Sequence, residues 1–141
     1  MILDILTIPN SVLHTRCEDA VPGPDMSMLL HSMVETLQAT SHGVGLAAPQ
    51  VGVSVRAFVV GSEEQGYLAV LNPRITKRSG VRVSSTEQCL SVPGKTVVKK
   101  RPYSITVEGI DAEGNPCTFK CRALAAAVVC HEIDHLDGRT I

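Results

Sequence analysis

Tryptophan is absent from this 141-residue chain, and aromatic residues make up only 3% of it. A core must therefore be built from Val, Leu, Ile, Ala and Met. The 44% hydrophobic content suffices for one domain spanning residues 1–141. A basic excess is also missing. The formal net charge of −1 argues against a nucleic-acid binder, and the one basic cluster, Lys99-Lys100-Arg101, reads as a solvated strand end. Long apolar runs are lacking: the longest, Ala123 to Cys130, falls far short of the roughly 20 residues a bilayer span needs. Asp4 and Pro9 interrupt the apolar residues of Met1 to Val12, and no basic segment precedes them, so no targeting signal is expected. Finally, no CxxC occurs. Cys17, Cys89, Cys117, Cys121 and Cys130 form an odd set that suits a reducing compartment better than a disulfide framework. All but Cys89 are expected to pack as small apolar side chains.

What is present divides into helical and extended patterns. Pro22-Gly23-Pro24 reads as a turn before a helix over 25–40, in which Met26, Leu29, Leu30, Met33, Val34 and Leu37 form one apolar stripe. Ser41-His42-Gly43 is the expected stop. Strand signals follow at 53–60, 67–71, 80–83, 96–98 and 105–107, with 117–121 as a hairpin partner after the turn 111–116. A last helix is expected over 122–136, stopped by Gly138. The expected class is α+β: mostly antiparallel sheets around a central C-terminal helix, with an additional N-terminal helix outside.

That last helix carries His131-Glu132-Ile133-Asp134-His135, an HExxH pattern. Residues four apart share a helix face, so both imidazoles can bind one metal ion, and the adjacent glutamate can handle protons for a water. The plain alternative is a surface helix with two solvated histidines. Against it, the turns before His131 are wholly apolar and predict burial, where histidines and acids without partners are costly. Leu124, Ala127 and Val128 fall on the turns below the two histidines and predict an apolar pocket floor, although plain core packing explains any one of them equally well.

The third ligand has to come from upstream. Ile141 stands where a longer zinc-protease signature has its last histidine, and Asp137 is the only acid after His135. Candidates are Cys89, His14, His31, His42 or an acid. His31 and His42 are expected at the surface by the first helix. Cys89 sits in a Pro/Gly-bounded stretch and would complete a thiolate–imidazole set with one position left for water.

Three segments together resemble the peptide deformylase family. Gly43-Val44-Gly45-Leu46-Ala47-Ala48-Pro49-Gln50 matches its GxGxAAxQ, Glu87-Gln88-Cys89-Leu90-Ser91 is similar to its EGCLS, and His131 to His135 match its HExDH. The first segment also imitates a dinucleotide-binding loop. That loop needs a strand before it and a helix after it, the reverse of the order here. The two glycines would let backbone approach a substrate closely.

The resemblance implies a metal-dependent hydrolase that removes the formyl group from the N-terminal formyl-methionine of new polypeptides and releases formate. It implies Cys89, His131 and His135 as metal ligands, Glu132 as general base and acid, and the Gln50 side chain and Leu90 backbone N–H as oxyanion donors. Val44 and Gly45 would pair with the peptide backbone, and the methionine would lie over Leu124, Ala127 and Val128. One divalent ion is implied, ferrous iron in the cell, with zinc, nickel or cobalt able to take the same ligands. Implied partners are formylmethionyl nascent chains, with no nucleic acid or membrane bound, in a monomer in the cytoplasm of a bacterial or virus-infected bacterial cell.

Two features depart from the family pattern. Gln88 replaces the glycine of EGCLS beside the bound peptide, and altered peptide preference is expected. The chain also resembles the short form that lacks a C-terminal helix, so ribosome contact is expected to be transient at most. Two rivals share some of these features. A zinc endopeptidase shares HExxH but leaves Cys89 unexplained. A metal-dependent binding module without turnover fits less well because Glu132 is intact.

Overall fold

Strand β2 (Ala57–Ser62) shows why the sheet carries a helix on each face. Alternate residues of a strand point to opposite faces. Ala57 and Val59 join Leu30, Met33 and Leu37 of helix α1 (Pro24–Gln38) in one buried cluster. Phe58 joins Ala126, Val129, Cys130, Ile133 and Leu136 of helix α2 (Leu124–Leu136) in another. Phe58, one of only two phenylalanines, is fully buried, and truncating such a ring to Ala costs about 3–5 kcal/mol.

The computed structural model describes residues 1–41 and 43–141. The remaining strands are β1 (Gly45–Ala47), β3 (Gly66–Arg78), β4 (Arg82–Cys89), β5 (Val92–Pro102), β6 (Ser104–Ile110) and β7 (Pro116–Arg122). An antiparallel sheet runs β1-β2-β3-β6-β7, and β4 and β5 form a separate two-stranded ribbon. The α+β architecture expected from the sequence is the one observed.

Several local expectations need correction. Helix α1 starts at Pro24, whose missing N–H costs nothing in the first turn. It ends at Gln38 with Ala39 as its cap, before the predicted glycine stop; the expected surface position of His42 lies outside the described residues. Strand β1 was unforeseen because three residues with a glycine and an alanine carry no β signal. It forms by pairing Gly45 with Val60 and Ala47 with Phe58. The stretch around Cys89 is mostly strand, where its Pro and Gly suggest loop. Cys89 pairs with Val92, so Leu90-Ser91 is a tight hairpin turn. Pro93 to Thr96 then bulge out opposite Gln88, with Gly94 at φ 79°.

Helix α2 is mostly buried from Ala126 onward, with Val128 and Asp134 half-buried, but Leu124 and Ala125 in its first turn are exposed, not buried as the apolar run suggests. Ala123 enters the helix at φ 55° and ψ −129°, a conformation that suits glycine. Arg101 is not a solvated strand end: it is buried, as the site explains. The five cysteines are free; Cys17 and Cys130 are buried, while Cys117 and Cys121 are half-buried.

Candidate metal centre

Helix α2 delivers His131 and His135 one turn apart, with ring centroids 5.0 Å from each other. The end of β4 brings Cys89 to the same point. One ligand atom from each of Cys89, His131 and His135 lies within 4.8 Å of the others. Sγ of Cys89 is 3.2 Å from Nε2 of His135. Of the upstream candidates, the structure therefore brings Cys89 to the histidines. His14 is exposed in a short helical turn, and His31 is exposed on α1, 3.0 Å from Glu35.

An open cleft of about 500 Å³ lies above this cluster. Every predicted site residue except His135 lines it: Val44, Gly45, Gln50, Gln88, Cys89, Leu90, Leu124, Ala127, Val128, His131 and Glu132. His135 lies beneath, 1% exposed. Leu124 is 73% exposed, which makes it part of the rim; Ala127 and the half-buried Val128 form the floor. Gln50 is locked in place. Its Oε1 accepts from the Ala47 N–H at 2.9 Å, while Nε2 donates to Ser91 Oγ at 3.1 Å and faces Cys89 Sγ at 3.7 Å.

Three supporting residues escaped the sequence reading. Glu87 Oε1 is 3.1 Å from Nδ1 of His131. Arg101 grips the same carboxylate with two bonds, Nη2 to Oε1 at 2.6 Å and Nε to Oε2 at 2.8 Å. Its Nη1 reaches Asp134 on α2 at 2.7 Å. Burial by itself would lift Glu87, but hydrogen bonds from Arg101 and His131 overcome it and hold the carboxyl at about 2. An ionised carboxylate only accepts, so Nδ1 of His131 carries a proton, which leaves Nε2 as the nitrogen with the lone pair when the ring binds a metal. A signal for Glu87 was available: two residues before Cys89 in a strand, it shares the face of Cys89. For Arg101 there was none, since it stands in a run of basic residues.

The remaining ionisable groups report the cost of burial. Burial, above all, pushes the Cys89 thiol up to about 11. It lifts Glu132 to about 8, with the negative charge of Glu87 adding to the effect. Burial, then the neighbouring His131, holds His135 down at about 3. Glu132 Oε1 and His135 Nδ1 are buried with no hydrogen-bond partner among the described residues. A divalent cation among the sulfur and imidazoles favours the thiolate and the neutral rings, which offsets these costs. One sulfur and two imidazoles are a donor set for a borderline metal. The residues therefore fit a metal ion.

An α+β fold with a Cys/His/His centre and a buried glutamate at the floor of a cleft defines a metallohydrolase. The sequence profile described as Polypeptide deformylase matches residues 2–141. Peptide deformylase of Thermodesulfovibrio yellowstonii is 39% identical over 97% of this chain and 85% of its own. The crystal structure of peptide deformylase from Ehrlichia chaffeensis in complex with actinonin superposes with a TM-score of 0.93 at 36% identity, covering 99% of this chain and 86% of that one. A probable peptide deformylase from Synechococcus phage S-SSM7 gives 0.91 at 40% identity over 98% and 96%. The chain belongs to the polypeptide deformylase family, metal-dependent amide hydrolases that remove the N-formyl group from newly made polypeptides. Among the described residues, no helix is long and apolar enough to cross a membrane.

Proposed function

We propose that this chain deformylates formyl-methionyl peptides with Cys89, His131 and His135 holding one divalent ion, and with Glu132 moving the protons. The observation that carries this reading is one sulfur and two imidazole nitrogens within 4.8 Å of one another, at the foot of a cleft that Glu132 also lines. The bound ion supplies Lewis acidity, which makes a water nucleophilic near neutral pH.

Glu132 takes a proton from that water as it adds to the formyl carbon, and returns a proton to the amine nitrogen as the C–N bond breaks. The Gln50 amide exchanges its long contact with Cys89 for the formyl oxygen. Together with the Leu90 N–H it stabilises the charge that develops there. Strand β1 lies at the sheet edge with β2 on one side only, so Val44 and Gly45 can pair with the peptide as an added strand. The methionine side chain enters past Leu124 onto Ala127 and Val128. Gln88, which lines the cleft and whose Nε2 donates to Thr96 Oγ1 at 3.0 Å, contacts the residues that follow methionine.

The site operates within one domain covering residues 1–141, in a monomer that touches the ribosome only transiently. Ferrous iron is the ion used in the cell, and zinc, nickel or cobalt can replace it on these ligands. Five free thiols suit the reducing cytoplasm in which formylated chains are made.

The deciding experiment is formate release from formyl-Met-Ala-Ser by anaerobically prepared protein, with metal analysis of the same sample. Stoichiometric metal with formate release is the expected result. Casein cleavage without formate would replace deformylation by endopeptidase activity. Bound metal without any turnover would leave a binding module.

A further inference from the structure

The second glycine of Gly43-Val44-Gly45 has no conformational reason to be glycine. Gly45 lies outside the left-handed region and pairs in ordinary antiparallel register with Val60. The reason lies in what its missing side chain would meet. A Cβ built on Gly45 falls 2.5 Å from Oε2 of Glu132, 3.0 Å from its Cδ and 3.1 Å from its Cγ. The three nearest atoms all belong to one side chain. Packed carbon and oxygen atoms do not approach to 2.5 Å. Gly43 differs: a Cβ there would meet Leu37 Cδ1 at 2.8 Å, the far end of a core side chain on α1.

The backbone of Glu132 is fixed in α2 between His131 and His135, so the clash can be relieved only by moving its side chain. Strand β1 is equally constrained, because Leu46 and Ala47 beside Gly45 are fully buried.

We infer that Gly45 is a positioning residue for Glu132: its bare Cα leaves the notch in which the carboxylate stands, and any side chain at 45 displaces the proton-transferring group. This deepens the deformylase reading and rests on it, since Glu132 has to be the group that moves the proton. It assigns the glycine a role separate from backbone pairing with the peptide. The two roles predict different kinetics. Loss of the notch misplaces a reacting group and lowers kcat; loss of peptide pairing raises KM.

The experiment is a double-variant cycle with Gly45→Ala and two changes at Glu132. With formyl-Met-Ala-Ser, Gly45→Ala is expected to lower kcat about 10- to 100-fold, the scale of an ångström-sized misplacement. KM stays within about twofold and the metal content does not change. The shorter carboxylate of Glu132→Asp removes the 2.5 Å contact with Oε2, the worst of the three. Adding Gly45→Ala to Glu132→Asp is therefore expected to cost less than about threefold further. The second readout needs neither metal nor turnover: Gly45→Ala lowers the melting temperature of the metal-free protein, and does so much less in the Glu132→Ala background.

A rise in KM with kcat intact overturns the inference, as does an equal loss of melting temperature in both backgrounds. If Gly45→Ala alone does not fold, folding of Gly45→Ala/Glu132→Ala supports the notch, and failure of both overturns it. Wild-type protein that releases no formate would defeat the deformylase reading while leaving the stability cycle to report on the contact itself.

Discussion

The two walls of the cleft contribute different things to one centre. Helix α2 supplies the candidate reacting groups: two imidazoles and the Glu132 carboxylate within five consecutive residues. The β4–β5 ribbon supplies one candidate ligand, Cys89, and the means of orienting the helix. Glu87 and Arg101 come from its two strands and bind His131 and Asp134. The histidines themselves show the contrast. His131 is steered by a carboxylate that is in turn gripped by an arginine, whereas His135 is held by burial and meets Cys89 directly. A helix can present chemistry by local periodicity. Fixing which nitrogen of a ring faces the metal takes a partner from elsewhere in the chain.

This division can be broken most severely at the helix. Glu132→Ala is expected to lower kcat by about 10²–10⁴ while metal analysis still finds one ion per chain. Loss of the ion along with turnover would show that Glu132 is structural. On the ribbon side, Arg101→Met strands the Glu87 carboxylate in a buried site. It is expected to cost about 3–5 kcal/mol in urea unfolding, and the loosened His131 about 10- to 100-fold in metal affinity. A variant as stable as wild type, with unchanged affinity, would remove the orienting role.

Acid gives a finer test of the same grip. Folding depresses the Glu87 carboxyl from 4.5 to about 2. The stabilisation is therefore complete above pH 4.5 and is lost as pH falls through about 2. The shift corresponds to roughly 3 kcal/mol. Between pH 5 and 2.5, urea midpoints of wild type should fall more steeply than those of Glu87→Gln; parallel slopes would contradict the assignment. Where ribbon and helix meet, Ala123→Gly relieves the backbone strain at φ 55° and is expected to raise stability by about 1 kcal/mol in thermal unfolding. An unchanged or lower melting temperature would mean that the strain is negligible there. The smallest effect is expected at the outer edge of the ribbon. Gln88→Gly should change the ranking of kcat/KM among formyl-Met peptides with different second and third residues by a few fold, on the order of one exposed hydrogen bond. Identical rankings would take Gln88 out of the peptide site.

The legible part of the site was the part written in short range. His131, Glu132 and His135 stand at helical spacing, and Cys89 was singled out among the upstream candidates by the family motif around it, Glu87 to Ser91. The apolar floor at Ala127 and Val128 followed from the same periodicity, but periodicity could not tell that Leu124, one turn earlier, reaches solvent. The grip on His131 was not legible. Glu87 and Arg101 are fourteen residues apart, on strands whose register is set by a hairpin turn at Leu90-Ser91 that composition suggests is loop. Strand β1 was missed because short strands of small residues form only when a neighbour offers its edge.

By itself the sequence determined the family, the class of fold and which residues to propose for the site, because helical period, strand alternation and contiguous motifs are local and survive without a neighbour. Tertiary structure alone decided that Arg101 is buried rather than solvated, which nitrogen of His131 is free, and that the space beside Gly45 belongs to Glu132. Each of these depends on atoms distant in the chain arriving within a few ångströms, where excluded volume and paired charge act only after the strands have found their register.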